Sequence, residues 1–151
     1  MSTTPLVSIS HYRLLELLGR GGMGEVWLAE DTELPRRVAV KLLPQELAND
    51  REAVERLLHE ARAVARVEHP NVVTIYEAGM AEGRAFLVMQ RVEGETLEQR
   101  LVRGRLEVAD AVELGRAVAD ALAEVHALGI VHRDLKPANI VMSARDRKSV
   151  V

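Results

Sequence analysis

Val131-His132-Arg133-Asp134-Leu135-Lys136-Pro137-Ala138-Asn139 is the stretch with the strongest chemical signal in the chain. A carboxylate, a Lys two positions on and an Asn five positions on, stiffened by a Pro, put a proton acceptor, a phosphate contact and a hard-cation ligand on one short loop. His132, between Val131 and Arg133 and close to Leu135, reads as a packed core histidine rather than a general base, and His126 reads the same way. The chain has no Cys, and its acids fall on loops or opposite helix faces, which argues against a zinc site.

Upstream of this loop, everything from Thr96 to Leu128 has helical periodicity. In the longer helix, Asp110 to Leu128, the polar residues Glu113, Arg116, Asp120 and Glu124 form one narrow stripe among Ala, Val and Leu. A helix apolar over most of its circumference belongs inside a core, yet only 23 residues follow it. Truncation is the expectation. Gly94 marks the change of regime, because strand-like patterns stop there, and a subdomain boundary is expected near Val92 to Gly94.

The preceding half reads as strands. Tyr12 to Leu18 and Val26 to Ala29 flank the glycine cluster Gly19-Arg20-Gly21-Gly22-Met23-Gly24. In Arg37 to Leu43, Val38, Val40 and Leu42 share one face, while Ala39 and Lys41 share the other. From an Asn49/Asp50 cap, Val54, Leu57, Leu58, Ala61, Val64 and Ala65 form a helical stripe with Glu60 on its flank, and His69-Pro70-Asn71 is expected to end that helix. Val72 to Tyr76 and Ala85 to Val92 read as two further strands around a Gly79 to Gly83 turn. The sum is five strands and one inserted helix.

Gly19-x-Gly21-x-x-Gly24-x-Val26 lets backbone N–H groups approach phosphate oxygens with no Cβ in the way, although a glycine hairpin without a ligand fits the same residues. A dinucleotide fold needs a helix directly after the glycines and an acid about 20 residues on; here a strand follows, and a Lys stands at that distance. Glu25-Val26 in place of Lys and Ser or Thr excludes a P-loop. Of the 20 basic residues, 17 are Arg, so the three Lys positions, Lys41, Lys136 and Lys148, are informative: Lys is a compact point charge suited to a phosphate oxygen. Glu60 bordering a buried stripe needs a partner, and Lys41 could be it.

In this order the motifs resemble the eukaryotic-type (Hanks-type) serine/threonine protein kinase domain, most of all its bacterial members, from about Tyr12 to Asn139. The resemblance implies an α+β fold: a five-stranded antiparallel N-lobe sheet with one inserted helix, then the first helices and catalytic loop of an incomplete helical C-lobe. It makes residues 1–11 a tail, 12–92 the nucleotide-binding N-lobe and 93–151 a partial C-lobe. Gly19, Gly21 and Gly24 would cover the phosphates of ATP, with Lys41 on the α- and β-phosphates and Glu60 as its partner. Val26 and Ala39 would roof the adenine and Val141 floor it, with Met89 as gatekeeper before a Gln90 to Val92 hinge. Asp134 would accept the substrate hydroxyl proton, Lys136 approach the γ-phosphate and favour Ser/Thr over Tyr, and Asn139 bind Mg2+. Arg133 would read a phosphorylated activation loop, and His132 and Val64 would belong to a stacked apolar column. In similar kinases an Asp-Phe-Gly motif follows the Asn by about a dozen residues. Val151 is twelve residues past Asn139, so the motif, and with it turnover by this fragment, is expected to be missing. A non-catalytic ATP-binding or interaction module is the alternative.

A composition of 48% hydrophobic and 28% charged residues excludes a disordered chain, and no apolar run approaches a membrane span. A net charge of −3 gives no footprint for nucleic acid. With no Cys and no signal-like N-terminus, the expected location is cytoplasmic, with any membrane attachment in a missing C-terminal region.

Overall fold

Residues 7–143 and 149–150 are described by a computed structural model. They fall into two compact units, Met1–Ala65 with Ile75–Arg91, and Arg66–Thr74 with Val92–Val151. This division takes residues 66–74 out of the 12–92 segment that the sequence suggests.

The first unit is an antiparallel sheet of six strands, β1 (Ser8–Ile9), β2 (Tyr12–Gly21), β3 (Gly24–Asp31), β4 (Arg36–Leu42), β5 (Ile75–Ala81) and β6 (Arg84–Gln90), in the order β1-β2-β3-β4-β6-β5. Five are the strands expected from sequence; β1 lies in the stretch read as a tail. Ile9 is the reason, because its side chain is fully buried in the core and its backbone pairs with Tyr12. One face of the sheet is closed by Ile9, Tyr12, Leu14, Ala29, Val38, Val40, Leu42, Phe86 and Val88. This is the period-two pattern seen in β4, where Val38, Val40 and Leu42 turn inward.

On the other face lies α1 (Arg51–Val64), whose Asp50 cap accepts the Ala53 N–H at 3.0 Å. Acidic Glu52 in its first turn and basic Arg62 in its last complement the helix dipole. Val54 and Leu58 close a second cluster with Leu43 and Ala85, against which Leu57, Ala78 and Leu87 also pack. The helix ends at Val64, before His69-Pro70-Asn71.

The strand expected over Val72 to Tyr76 begins only at Ile75 and runs through Gly79 to Ala81. The residues before it are held in a turn, where the Val72 N–H donates to His69 O (3.1 Å) and the Asn71 N–H to His69 Nδ1 (3.0 Å). The reversal is the two-residue loop Glu82-Gly83, both at positive φ, as a tight hairpin requires.

Strands do not stop at Gly94 in the second unit. β7 (Gly94–Thr96), β8 (Val141–Ser143) and β9 (Ser149–Val150) form a small antiparallel sheet. Gly94 has φ +154°, and a Cβ there would stand 2.1 Å from Met142 O, so the β7–β8 pair needs a glycine at this point. Thr96 then caps α2 (Leu97–Val102) in a reciprocal capping box with Gln99.

α3 (Val108–Ala127) starts two residues before the expected Asp110. Within it only Ala121 and Val125 are buried, while Val108 and Val112 are 79% and 65% exposed. His126, read as a core histidine, is exposed because it lies about 100° around the helix from the buried Val125. No helix among the described residues is long and apolar enough to cross a membrane.

Candidate active site

In the first unit, strand register assembles the candidate residues. Gly19 pairs with Val26, Val26 with Lys41 and Lys41 with Leu87, so residues from β2, β3, β4 and β6 stand in one line across the sheet. The neighbouring line on the same face is Leu28, Ala39 and Met89. Val26, Ala39, Lys41 and Met89 are therefore close neighbours, and Leu28, which the sequence did not single out, sits among them. Gln90 ends β6, and Val92 belongs to the second unit, as does half-buried Val141 on β8. Glu60 is half-buried on α1, and among the described residues the ion pairs of this unit do not include it.

The glycines divide into two kinds. Gly24 has φ +108°, and a Cβ on it would lie 2.0 Å from Leu42 O, so the fold itself demands a glycine there. At Gly19 and Gly21 an added Cβ would meet nothing within 4 Å. The protein's own packing does not explain those two; open space over a backbone rich in N–H groups fits a bound phosphate.

Arg20 and Glu25 face each other across the hairpin and are paired at 2.8 Å, and the Trp27 indole N–H donates to the other oxygen of Glu25 at 3.0 Å. The Trp27 hydrogen bond and the Arg20 charge hold the Glu25 carboxyl below its usual range, against the effect of burial. Sequence reading passed over this group; a Glu facing an Arg across a short glycine turn is the signal that could have revealed it.

At the far end of the same sheet, Asp31 is buried. Burial alone would raise its pKa, but N–H bonds from Leu34 and Glu33 and the Arg36 guanidinium (3.0 Å) outweigh it and lower the pKa. Burial, together with a 2.6 Å bond from its hydroxyl to Glu77, pushes the Tyr12 phenol well up.

In the second unit the loop 131–139 is cross-linked within itself. Asn139 Nδ2 donates to Asp134 O (2.7 Å) and to Asp134 Oδ2 (3.0 Å), while Lys136 Nζ stands 3.5 Å from Asp134 Oδ1. The Asp134 N–H donates to His132 Nδ1 at 3.1 Å, so His132, half-buried, fixes the loop instead of only filling a core. Arg133 takes a left-handed backbone (φ +64°) that turns the chain between them. Pro137–Asn139 form one 3₁₀ turn, and the Leu97 N–H donates to Ile140 O (2.8 Å), tying the end of the loop to the start of α2. With Nδ2 spent on Asp134, the other end of the Asn139 amide is an oxygen, a hard donor suited to a divalent cation. Among the described residues no group of three or more His, Cys, Asp or Glu could hold a metal.

Residues 12–150 match the family model of the protein kinase domain. The serine/threonine-protein kinase PknA of Mycobacterium tuberculosis is 45% identical over 138 residues, covering 87% of this chain and 32% of that protein. The serine/threonine-protein kinase PrkC of Bacillus subtilis is 40% identical over 132 residues, 87% of this chain and 20% of its own length. A crystal structure of the Mycobacterium tuberculosis PknI kinase domain superposes with a TM-score of 0.86 at 29% identity, over 99% of this chain and 60% of that one. The chain thus spans about a third of PknA and a fifth of PrkC. An α+β fold with a curled antiparallel sheet, a match over nearly the whole chain and these relatives agree: the chain belongs to the protein kinase domain family.

Proposed function

We propose that this chain is the nucleotide-binding sheet and catalytic loop of an ATP-dependent serine/threonine protein kinase. The observation that carries the reading is the loop in which Asp134, Lys136 and Asn139 are bound to one another. A carboxylate fixed by an amide N–H and flanked by an ammonium is poised to accept a proton from a protein Ser or Thr hydroxyl. ATP with Mg2+ supplies the transferable γ-phosphoryl group. Lys136 is suited to hold that group near the hydroxyl, and the oxygen end of Asn139 is the cation ligand.

In the sheet, Lys41 is assigned to the α- and β-phosphates, with Glu60 to fix its rotamer, and the backbone at Gly19, Gly21 and Gly24 to the outer phosphates. Val26, Ala39 and Met89, neighbours across the sheet, are assigned to the adenine. ATP use places the work in the cytoplasm, where ATP is abundant.

The 151 residues contain no Asp-Phe-Gly sequence. Phosphoryl transfer depends mainly on positioning and metal electrostatics, so the isolated chain is expected to bind nucleotide without measurable turnover. Calorimetry with MgATP is the test: wild-type chain gives heat of binding, and Lys41→Met abolishes it. No heat and no thermal shift in wild type would remove the nucleotide reading. Turnover by the isolated chain that vanishes in Asp134→Asn would overturn the expectation of inactivity.

A further inference from the structure

The glycine hairpin has little of its own to hold it. The β2–β3 ladder slips between Leu14 and Glu16 and again between Leu17 and Gly19, and ends with Gly21 facing Gly24. A strand end without side chains to pack specifies its register weakly. Of the cross-strand pairs from Gly19 opposite Val26 to Gly21 opposite Gly24, Arg20 opposite Glu25 is the one with two long side chains. We propose that Glu25 is a positioning residue for nucleotide binding: its carboxylate ties Arg20 across the hairpin to Trp27 along β3 and so holds the Gly19–Gly24 backbone in one conformation. The proposal rests on the nucleotide reading of this hairpin.

Both oxygens of Glu25 are engaged, one by Arg20 at 2.8 Å and the other by the Trp27 indole N–H at 3.0 Å. The Glu25 side chain is only 21% exposed, whereas that of Arg20 is 67% exposed, so the anchored end of the tie is the carboxylate. Behind it, Arg84 adds to the positive field and is itself fixed by donating to Leu43 O at 3.2 Å. Strand alternation puts Glu25 and Trp27 on the face opposite Val26 and Lys41. A nucleotide lying over the Val26–Lys41 line is out of reach of Glu25, which acts on it through the hairpin backbone alone. Trp27 is the sole Trp of the chain, so its emission reports on this tie directly.

The experiment compares wild type, Glu25→Gln, the exchanged pair Arg20→Glu/Glu25→Arg, and Lys41→Met in the 151-residue chain. Amide hydrogen exchange at residues 20–24 is followed without ligand, MgATP affinity by calorimetry, and Trp27 by fluorescence. Glu25→Gln keeps the side-chain shape and an acceptor for Trp27 but loses the charge pair. It is expected to speed exchange about tenfold and weaken MgATP binding about fivefold, as loss of preorganisation does. The exchanged pair restores the cross-strand attraction but not the Trp27 bond, so exchange and affinity recover in part while Trp27 emission stays shifted. A role confined to stability would lower the unfolding midpoint without that recovery. Lys41→Met loses MgATP affinity and leaves exchange in the free chain at the wild-type rate. Wild-type exchange and wild-type affinity in Glu25→Gln overturn the tie while leaving the nucleotide reading intact. Absence of MgATP binding in wild type overturns the nucleotide reading itself, and with it the positioning role.

Discussion

The glycine-hairpin sheet and the loop 131–139 bring their candidate residues together in opposite ways. In the sheet, Gly19, Val26, Lys41 and Leu87 come together only because four strands pair in one register, so residues up to 68 positions apart share a line. In the loop, Asp134, Lys136 and Asn139 meet within six residues, through bonds made inside the loop. The surroundings differ too. The sheet closes over a core of fully buried aromatic and aliphatic side chains, whereas α3, in the same unit as the loop, buries only Ala121 and Val125. A site built by register inherits the stability of its whole sheet; a site built locally can keep its shape on a weaker support.

Six substitutions sharpen or break that contrast, each read by urea unfolding. Phe86→Ala, in the sheet core, is expected to cost about 4 kcal/mol, whereas Val112→Ala on exposed α3 changes stability by less than about 0.5 kcal/mol. Equal losses at the two positions would break the contrast. Gly24→Ala follows at about 3 kcal/mol, since the new Cβ meets Leu42 O, while Gly21→Ala, with nothing nearby, costs less than about 1 kcal/mol. Comparable values for the two glycines would mean the hairpin relaxes freely.

Asp31→Asn removes the charge partner of Arg36 and is expected to cost about 2 kcal/mol at neutral pH. The Asp31 pKa is lowered on folding from its ordinary 3.8. Its charged form therefore stabilises the fold at every pH above that value, and the contribution is lost as pH falls through the lower folded value. The gap between wild type and Asp31→Asn should narrow below about pH 4, and a gap independent of pH there would exclude the charge as its source. Asn139→Ala follows at about 1 kcal/mol or less, because the two bonds it removes lie within a part-exposed loop. A loss as large as that of Phe86→Ala would show that the loop supports its unit rather than resting on it.

Much of the sheet was legible because period-two alternation is a local property. Val38, Val40 and Leu42 had to share a face, and Lys41 had to share the other with Ala39. The cap at Asp50 and the stripe Val54, Leu58, Ala61 were equally local. The loop 131–139 was legible for the same reason, since Asp134, Lys136 and Asn139 lie too close in sequence to be kept apart. Misplaced elements share another cause. Val72 looked like a strand residue, but the His69 carbonyl and ring take the hydrogen bonds a ladder would need, and β5 starts at Ile75. β7 was hidden because Gly94 signals a break until Met142 is seen against it.

Sequence by itself singled out the candidate residues and settled which face of each strand they occupy, because composition and periodicity are written along the chain. Tertiary structure alone decided which strands are neighbours, that Gly24 serves the fold while Gly19 and Gly21 leave space open, and that α3 keeps Val108 and Val112 exposed. Those outcomes depend on hydrogen-bond register and packing between residues far apart in sequence, and no local pattern encodes the distance from a glycine to the carbonyl it must clear.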